Sequence, residues 1–235
     1  MAKFIIKENF WEIFPDANVG VLVLEELNNN GQSSDKILKF LSESNEEAKK
    51  YLTAPQLSQN AVIAVWREAY KKFKTKKGVR SSIEALLKRV DKGNEISSIN
   101  PLVDIYNGVS LKYGMPCGAE DIDTFAGNLS LAVTEGGDEF YALGDEENSP
   151  TLPGEVCYTD DIGAVCRCFN WRDGKRTMIT EDTKRAFVVI ESVNNERNNE
   201  IIEALEEISA YASEELGATK KSLVLLNRNN ASMDL

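Results

Sequence analysis

Residues 100–125, NPLVDIYNGVSLKYGMPCGAEDIDTF, hold the side chains best spaced for chemistry. Leu102, Val103, Ile105, Tyr106, Val109 and Leu111 give a broad apolar helical face, which Asp104 and Asn107 interrupt. Asn100 and Pro101 mark the helix start, because proline at the first helical position gives up only an amide that would be unpaired anyway. Gly114 and Pro116 end it, and a small-residue loop of Cys117, Gly118 and Ala119 leads to acidic Glu120, Asp121 and Asp123. A polar Asn107 in mid-helix, followed by a glycine turn, suits the lining of a pocket. A buried helix with one hydrogen-bonded asparagine fits the same pattern.

The chain has no histidine. That removes the commonest general base, the Ser-His and Cys-His nucleophile pairs and most catalytic metal sites. Catalysis here must use carboxylates, lysine, tyrosine, cysteine, a positioned water or the substrate itself. Cys117, Cys157, Cys166 and Cys168 form no CxxC pair, so a zinc site is not expected. The sequence contains no GxGxxG fingerprint, Walker loop, HExxH or GxSxG, and no cofactor is expected.

The composition is that of an ordinary soluble protein of 235 residues, enough to bury a substantial core. No apolar run is long enough to span a membrane, and the first residues lack the order of a signal peptide. A reduced, cytoplasmic protein is expected. The net charge of -11 argues against a surface coated in positive potential for nucleic acid. Lys71, Lys72, Lys74, Lys76, Lys77 and Arg80 nevertheless form a basic run, followed by Lys88 and Arg89. It could contact phosphates locally, or be a solvated helix end.

The elements that would position these groups follow from periodicity. Phe4 to Ile6 and Val19 to Leu24 read as strands. Helices are expected from Asp35 to about Leu52, from Ser58 to Phe73, from Ser81 to Val90 and from Pro101 to Gly114. Residues 129–134 and 139–145 read as a hairpin joined by Glu135-Gly136-Gly137-Asp138. Further strands are expected at 155–158, 163–170, 176–179 and 185–193, with Asp173-Gly174 as a second hairpin turn. Within 163–170, Cys166 and Cys168 would share a face and Arg167 would point to the other. Asn194 to Leu216 reads as an amphipathic helix capped by Gly217, Ser222 to Leu226 as a last strand, and the tail as fraying. Helices early and strands late give an α+β fold rather than alternating βαβ units. No linker divides residues 1–235, which read as one domain.

RSSIEALLKRV, NPLVDIYNGVSLKYGMPCGAEDID, GEVCYTDDIGAVCRCFN and TKRAFVVIES together resemble the tRNA-editing module of the phenylalanyl-tRNA synthetase beta subunit, and more closely its freestanding relatives. The resemblance is clear over Val79 to Ser192. It implies two interleaved subdomains with mixed and antiparallel sheets flanked by helices, and a pocket between them. It also implies a trans-editing hydrolase that deacylates misacylated tRNA, or a non-catalytic amino-acid or tRNA-binding module of the same fold. The partners implied are aminoacylated tRNA and its amino acid, with no DNA and no membrane.

Position by position, Asn107 matches the helix asparagine that lines the family's amino-acid pocket, and Tyr106 stands where the family often has threonine. Pro116 matches, but Gly118 stands where the family places a histidine. Glu191 occupies the place of a glutamate that recognises the phenol of misattached tyrosine. Arg167, Phe169 and Asn170 replace a glycine-rich loop. On this resemblance Asn107 and Glu191 are the catalytic candidates. Tyr106, Gly118, Arg167 and Asn170 would bind substrate, and Lys72, Lys74, Lys76, Lys77 and Arg80 would bind tRNA. Arg167 could hold a carboxylate or phosphate in its planar fork, or form a cross-strand ion pair. Amides of residues 114–119 with Asn107 would stabilise an oxyanion while Glu191, Asn107 or a ribose hydroxyl orients water.

Overall fold

A computed structural model describes residues 2–235. Along the chain it contains β1 (Lys3–Ile6), α1 (Glu8–Ile13), β2 (Asn18–Glu25), α2 (Asp35–Glu47), α3 (Ala61–Ala69), α4 (Ser82–Asp91), α5 (Pro101–Tyr113) and β3 (Cys117–Asp121). There follow β4 (Leu129–Val133), β5 (Val156–Thr159), β6 (Ala164–Arg167), β7 (Arg172–Asp173), β8 (Ala186–Ser192), α6 (Asn198–Leu216), β9 (Thr219–Leu226) and β10 (Ser232–Asp234). One sheet has the order β10-β1-β4-β5-β6-β7 and the other β3-β8-β2-β9. Each draws strands from both ends of the chain, so the two are interleaved in an α+β fold. No helix among the described residues is long and apolar enough to cross a membrane.

The four-stranded sheet is buried on both sides, which explains the nearly continuous apolar runs of β2 and β8. Leu22, Leu24, Val188 and Ile190 face a core completed by Ile37, Leu102, Ile105 and Leu205 of the helices. Val19, Val21, Phe187 and Val189 face the other way and pack on Phe4, Leu131, Tyr158 and Cys166 of the six-stranded sheet. This period-two alternation is what a strand between two packed layers requires.

The helices start and stop where their end groups can be satisfied. Ser34 accepts a hydrogen bond from Ile37 N and Ser81 one from Glu84 N, both at 3.3 Å. Asn100 accepts one from Val103 N at 3.1 Å, with Pro101 following. Gly114 and Gly217 close α5 and α6 in the left-handed region, at φ 61° and 65°. Asp104, one of the two polar interruptions of α5, ties that helix to the loops that precede α5 and α2. It accepts from Ile99 N at 2.7 Å, from Ser33 Oγ at 2.5 Å and from Ser98 Oγ.

Several local expectations are corrected. The segment read as a small-residue loop is β3, at the edge of the four-stranded sheet. β4 does not form a hairpin with 139–145. It pairs parallel with β1 and antiparallel with β5, because Gly136 and Gly137 (φ 87° and 88°) open a wide loop that Asp138 and Thr151 pin together. The strand read over 163–170 stops at Arg167, where Cys168 (φ 49°) and Phe169 (φ 69°) turn the chain. Cys166 and Cys168 therefore do not share a strand face, and this turn replaces the one expected at Asp173-Gly174. Residues 176–179 contribute only an isolated bridge between Met178 and Glu120. The helix expected over 58–73 is confined to Ala61–Ala69, and the one over 35–52 gives way at Ala48 to a tighter helical turn. The tail is ordered: β10 pairs with β1, and Leu235 is buried.

Gly20 lies where β2 passes under α6. A methyl group there would meet Ile201 Cγ2 at 2.3 Å and Leu205 Cδ1 at 2.8 Å. Gly20→Ala is therefore expected to cost about 1–3 kcal/mol through overpacking. Urea unfolding should show a lower midpoint at unchanged slope.

Candidate functional site

A hollow of about 370 Å³ opens between the two sheets. Register decides what lines it. Gly118 lies opposite Val189 and Glu120 opposite Phe187, so these side chains and Glu191 share the inward face of β3 and β8. On the other sheet Tyr158 lies opposite Cys166, and Cys166 opposite Asp173, which brings a tyrosine, a thiol and a carboxylate into one row. The left-handed turn after β6 supplies Phe169, Asn170 and Trp171, and the first residue of α4, Ser82, closes one side.

Glu191 is the only acidic residue of β8 and is 1% exposed. Its carboxylate accepts from Tyr158 Oη at 2.7 Å and from Asn170 Nδ2 at 3.2 Å. Asn170 is held in turn by Tyr70 Oη, which donates to its Oδ1 at 3.1 Å, and by Ser82 N, which donates to its backbone oxygen at 3.1 Å. All donors to Glu191 are neutral. Burial pushes its carboxyl up to about 8, although the two hydrogen bonds pull the other way and nearby Asp173 adds to the rise. Burial and the charge of Asp173 also push Glu120 up, against the pull of Thr177 and Arg176. Asp173 is exposed to solvent at the hollow, yet protein crowds it and its carboxyl rises too.

The thiols near this space are not activated. Burial and the charge of Glu191 push Cys117 up, and burial with Asp173 and Glu120 does the same to Cys166. The thiolate is the nucleophile, so both cysteines stay inert here.

Of the sequence candidates, the structure brings Glu191, Gly118 and Asn170 together. A Cβ placed on Gly118 would meet only Val189 Cγ1, at 4.0 Å, so position 118 has space for a side chain. Asn107 is corrected: it stands half-buried on α5, outside the walls of the hollow. Tyr106 is also outside them. It packs against the helical core, and burial, Asp173, Cys117 and Glu120 push its hydroxyl up. Arg167 is corrected as a substrate ligand. It is 1% exposed and its fork is filled by Glu155, with Nε to Oε2 at 3.0 Å and Nη2 to Oε1 at 2.5 Å, while Nη1 donates to Ser149 O at 2.6 Å. The amides expected from a loop at 114–119 belong in part to the β3–β8 ladder.

In the basic run Lys72, Lys74 and Lys77 are exposed, and Lys76 and Arg80 are half-buried. Lys72 Nζ lies 5.4 Å over the Phe14 ring, and Lys76 Nζ donates to Ser149 Oγ at 2.5 Å. Arg80 joins Lys88, Arg89 and Lys92 along a shallow groove beside α4, two residues before Ser82 at the hollow. Glu120, Tyr158 and Asp173 escaped the sequence reading. The small-then-acidic alternation of Gly118 and Glu120 was the signal for an inward-facing strand edge.

The two interleaved sheets and the hollow between them define an α+β module. Residues 65–215, well over half of the chain, match the family described as the B3/4 domain, and the chain belongs to that family. The phenylalanine–tRNA ligase beta subunit of Fusobacterium nucleatum subsp. nucleatum is 30% identical over 95 residues, which is 40% of this chain and 12% of that protein. The structure of an N-terminal fragment of the phenylalanyl-tRNA synthetase beta subunit from Pyrococcus horikoshii has the same fold. Its TM-score is 0.51 at 11% identity, and the match covers 94% of this chain and 53% of the fragment. The chain thus spans only a small part of the curated relative and about half of the solved fragment.

Two outcomes follow from these environments. Arg167→Met strands Glu155 in the interior and should cost about 3–5 kcal/mol, most of it recovered when Glu155→Leu is added. Chemical denaturation of both variants measures this. The raised carboxyl of Glu191 means that the folded state holds a proton the unfolded state has lost between about 4.5 and 8. Stability should therefore fall as pH rises through that window. Melting temperatures taken across it should decline less steeply in Glu191→Gln than in the wild type.

Proposed function

We propose that this chain binds aminoacyl-tRNA with the acyl group in the inter-sheet hollow and hydrolyses the ester in trans. The observation that carries this is Glu191, a carboxylate held by Tyr158 and Asn170 at the wall of a hollow of about 370 Å³. A space of this kind with a few convergent polar groups is the usual form of a small-molecule site. Two relatives are beta subunits of phenylalanine–tRNA ligases, which supports tRNA as the partner. The groove of Arg80, Lys88 and Arg89 and the run of Lys72, Lys74, Lys76 and Lys77 would take the phosphates. Such a substrate implies a cytoplasmic setting.

In this reading Glu191, in its ionised fraction, orients the attacking water and accepts its proton. Asn170 and Tyr158 fix the carboxylate, and a ribose hydroxyl of the substrate assists. The inert thiols and the lack of histidine favour direct attack by water, without a covalent enzyme intermediate. Gly118 leaves room for the acyl group beside Val189. The same bare position, with no base at 118, favours a second reading in which the module binds an aminoacyl group without turnover.

Incubation of the protein with tRNAs charged separately with a panel of amino acids tests the first reading. Deacylation of one or a few of them without a burst is expected, with Glu191→Ala slowing it about 10²-fold. Loss of every amino acid at the uncatalysed rate would overturn hydrolysis. Retention of filter binding to charged tRNA in that case would leave the second reading.

A further inference from the structure

The hollow holds more carboxyl groups than the chain pairs with cations. Glu120, Asp173 and Glu191 all line it, from three different strands. Among the described residues no cationic side chain makes a salt bridge to any of them. Arg172, at the rim, is turned to Asp145 at 3.4 Å and lies over the Trp171 ring at 5.7 Å. Arg176, whose charge pulls on Glu120, is taken by Asp160 at 2.7 Å. Glu120 is the decisive residue. It is 4% exposed, its side chain is on the inward face of β3, and, although the Thr177 hydroxyl lies close enough to pull on it, its Oε2 makes no well-formed hydrogen bond. A buried carboxylate oxygen without a partner is rare, and it calls for a ligand donor.

The walls between the acids are apolar and aromatic. Phe169, Trp171, Tyr158 and Phe187 line the same space. Ring faces beside carboxylates suit an organic cation, which gains from both. They do not suit a metal ion, and no group of His, Cys, Asp or Glu among the described residues is arranged to hold one.

We infer that the hollow selects an amino acid or acyl group with a positively charged side chain, an ammonium or guanidinium, bound between Glu120, Asp173 and Glu191. The inference rests on the hollow being the acyl site and adds its substrate class. Every aminoacyl group brings one α-ammonium, and three unpaired acids exceed what that group alone would answer. Glu120 supplies the deep contact and Asp173 the one nearer solvent.

Amino-acid amides separate the two charges, since all carry the α-ammonium and only some carry a second cation. Calorimetric titration of the full chain with lysinamide, ornithinamide and argininamide, against norleucinamide and phenylalaninamide, reads the preference. At least one of the dibasic amides should bind about tenfold or more tighter than norleucinamide, in keeping with a charge-assisted contact. In Glu120→Gln and in Asp173→Asn that ratio should shrink. The wild-type panel stands alone if either variant fails to fold. Norleucinamide binding as tightly as the dibasic amides, or no amide binding at all, would overturn the inference, as would an undiminished ratio in both folded variants. The outcome is distinct from that of the deacylation assay. Turnover of tRNA esters with neutral side chains only would sink the cationic class and keep the hydrolase. Tight dibasic amides without any deacylation would do the reverse.

Discussion

The carboxylate of Glu191 sits on the strand with least access to water. β8 is central in its sheet and packed on both faces, so every one of its residues is buried. A charge on such a strand must be neutralised, protonated or given donors. Here Tyr158 comes from the opposite sheet and Asn170 from the turn after β6, so the two layers meet through a polar contact inside an otherwise apolar interface. The hollow exists because packing is interrupted at this contact. Its walls are the residues that flank Glu191 in register, and the same register fixes Tyr158, Cys166 and Asp173 across from it.

The contrast with Glu155 shows that the fold can neutralise a buried acid when the role is structural. Arg167 holds Glu155 through both nitrogens of its fork, and neither group reaches the hollow. The positive charge of Arg167 has thus been drawn behind the turn of Cys168 and Phe169. Glu120, Asp173 and Glu191 are left without an ion pair, and the crowding of protein around them raises all three. The same chain carries a paired interior acid and an unpaired cluster, and only the cluster faces open space.

Much of this was legible in the residues. The helix at 101–113 could be read from Asn100, Pro101 and Gly114, because helix ends are solved locally by one or two side chains. Glu191 and Gly118 could be reached through their motifs. What could not be read was pairing. The Gly-Gly turn after β4 has the chemistry of a hairpin, but β4 finds β1 and β5 instead, since long-range packing overrides a local turn signal. The strand at Cys117 was hidden by small and acidic residues with low strand propensity, and its burial comes from β8. Arg167 and Asn107 illustrate the limit at the site. Spacing gave their position along an element, and only the partners across the sheets decided that one is locked in an ion pair and the other stands aside.

The interleaving of the sheets has a consequence for how this molecule comes into being. β2, at residues 18–25, pairs with β8 at 186–192 and with β9 at 219–226, and β1 pairs with β10 at 232–234. During synthesis the earliest strands emerge long before their partners, with Val19, Val21, Leu22 and Leu24 exposed and unpaired. Contacts so distant along the chain form slowly, and apolar edges that wait for them are prone to aggregate. The helices α2 to α5, made in between, offer the nascent β2 an early apolar surface, while the walls of the hollow are complete only once β8 has been made.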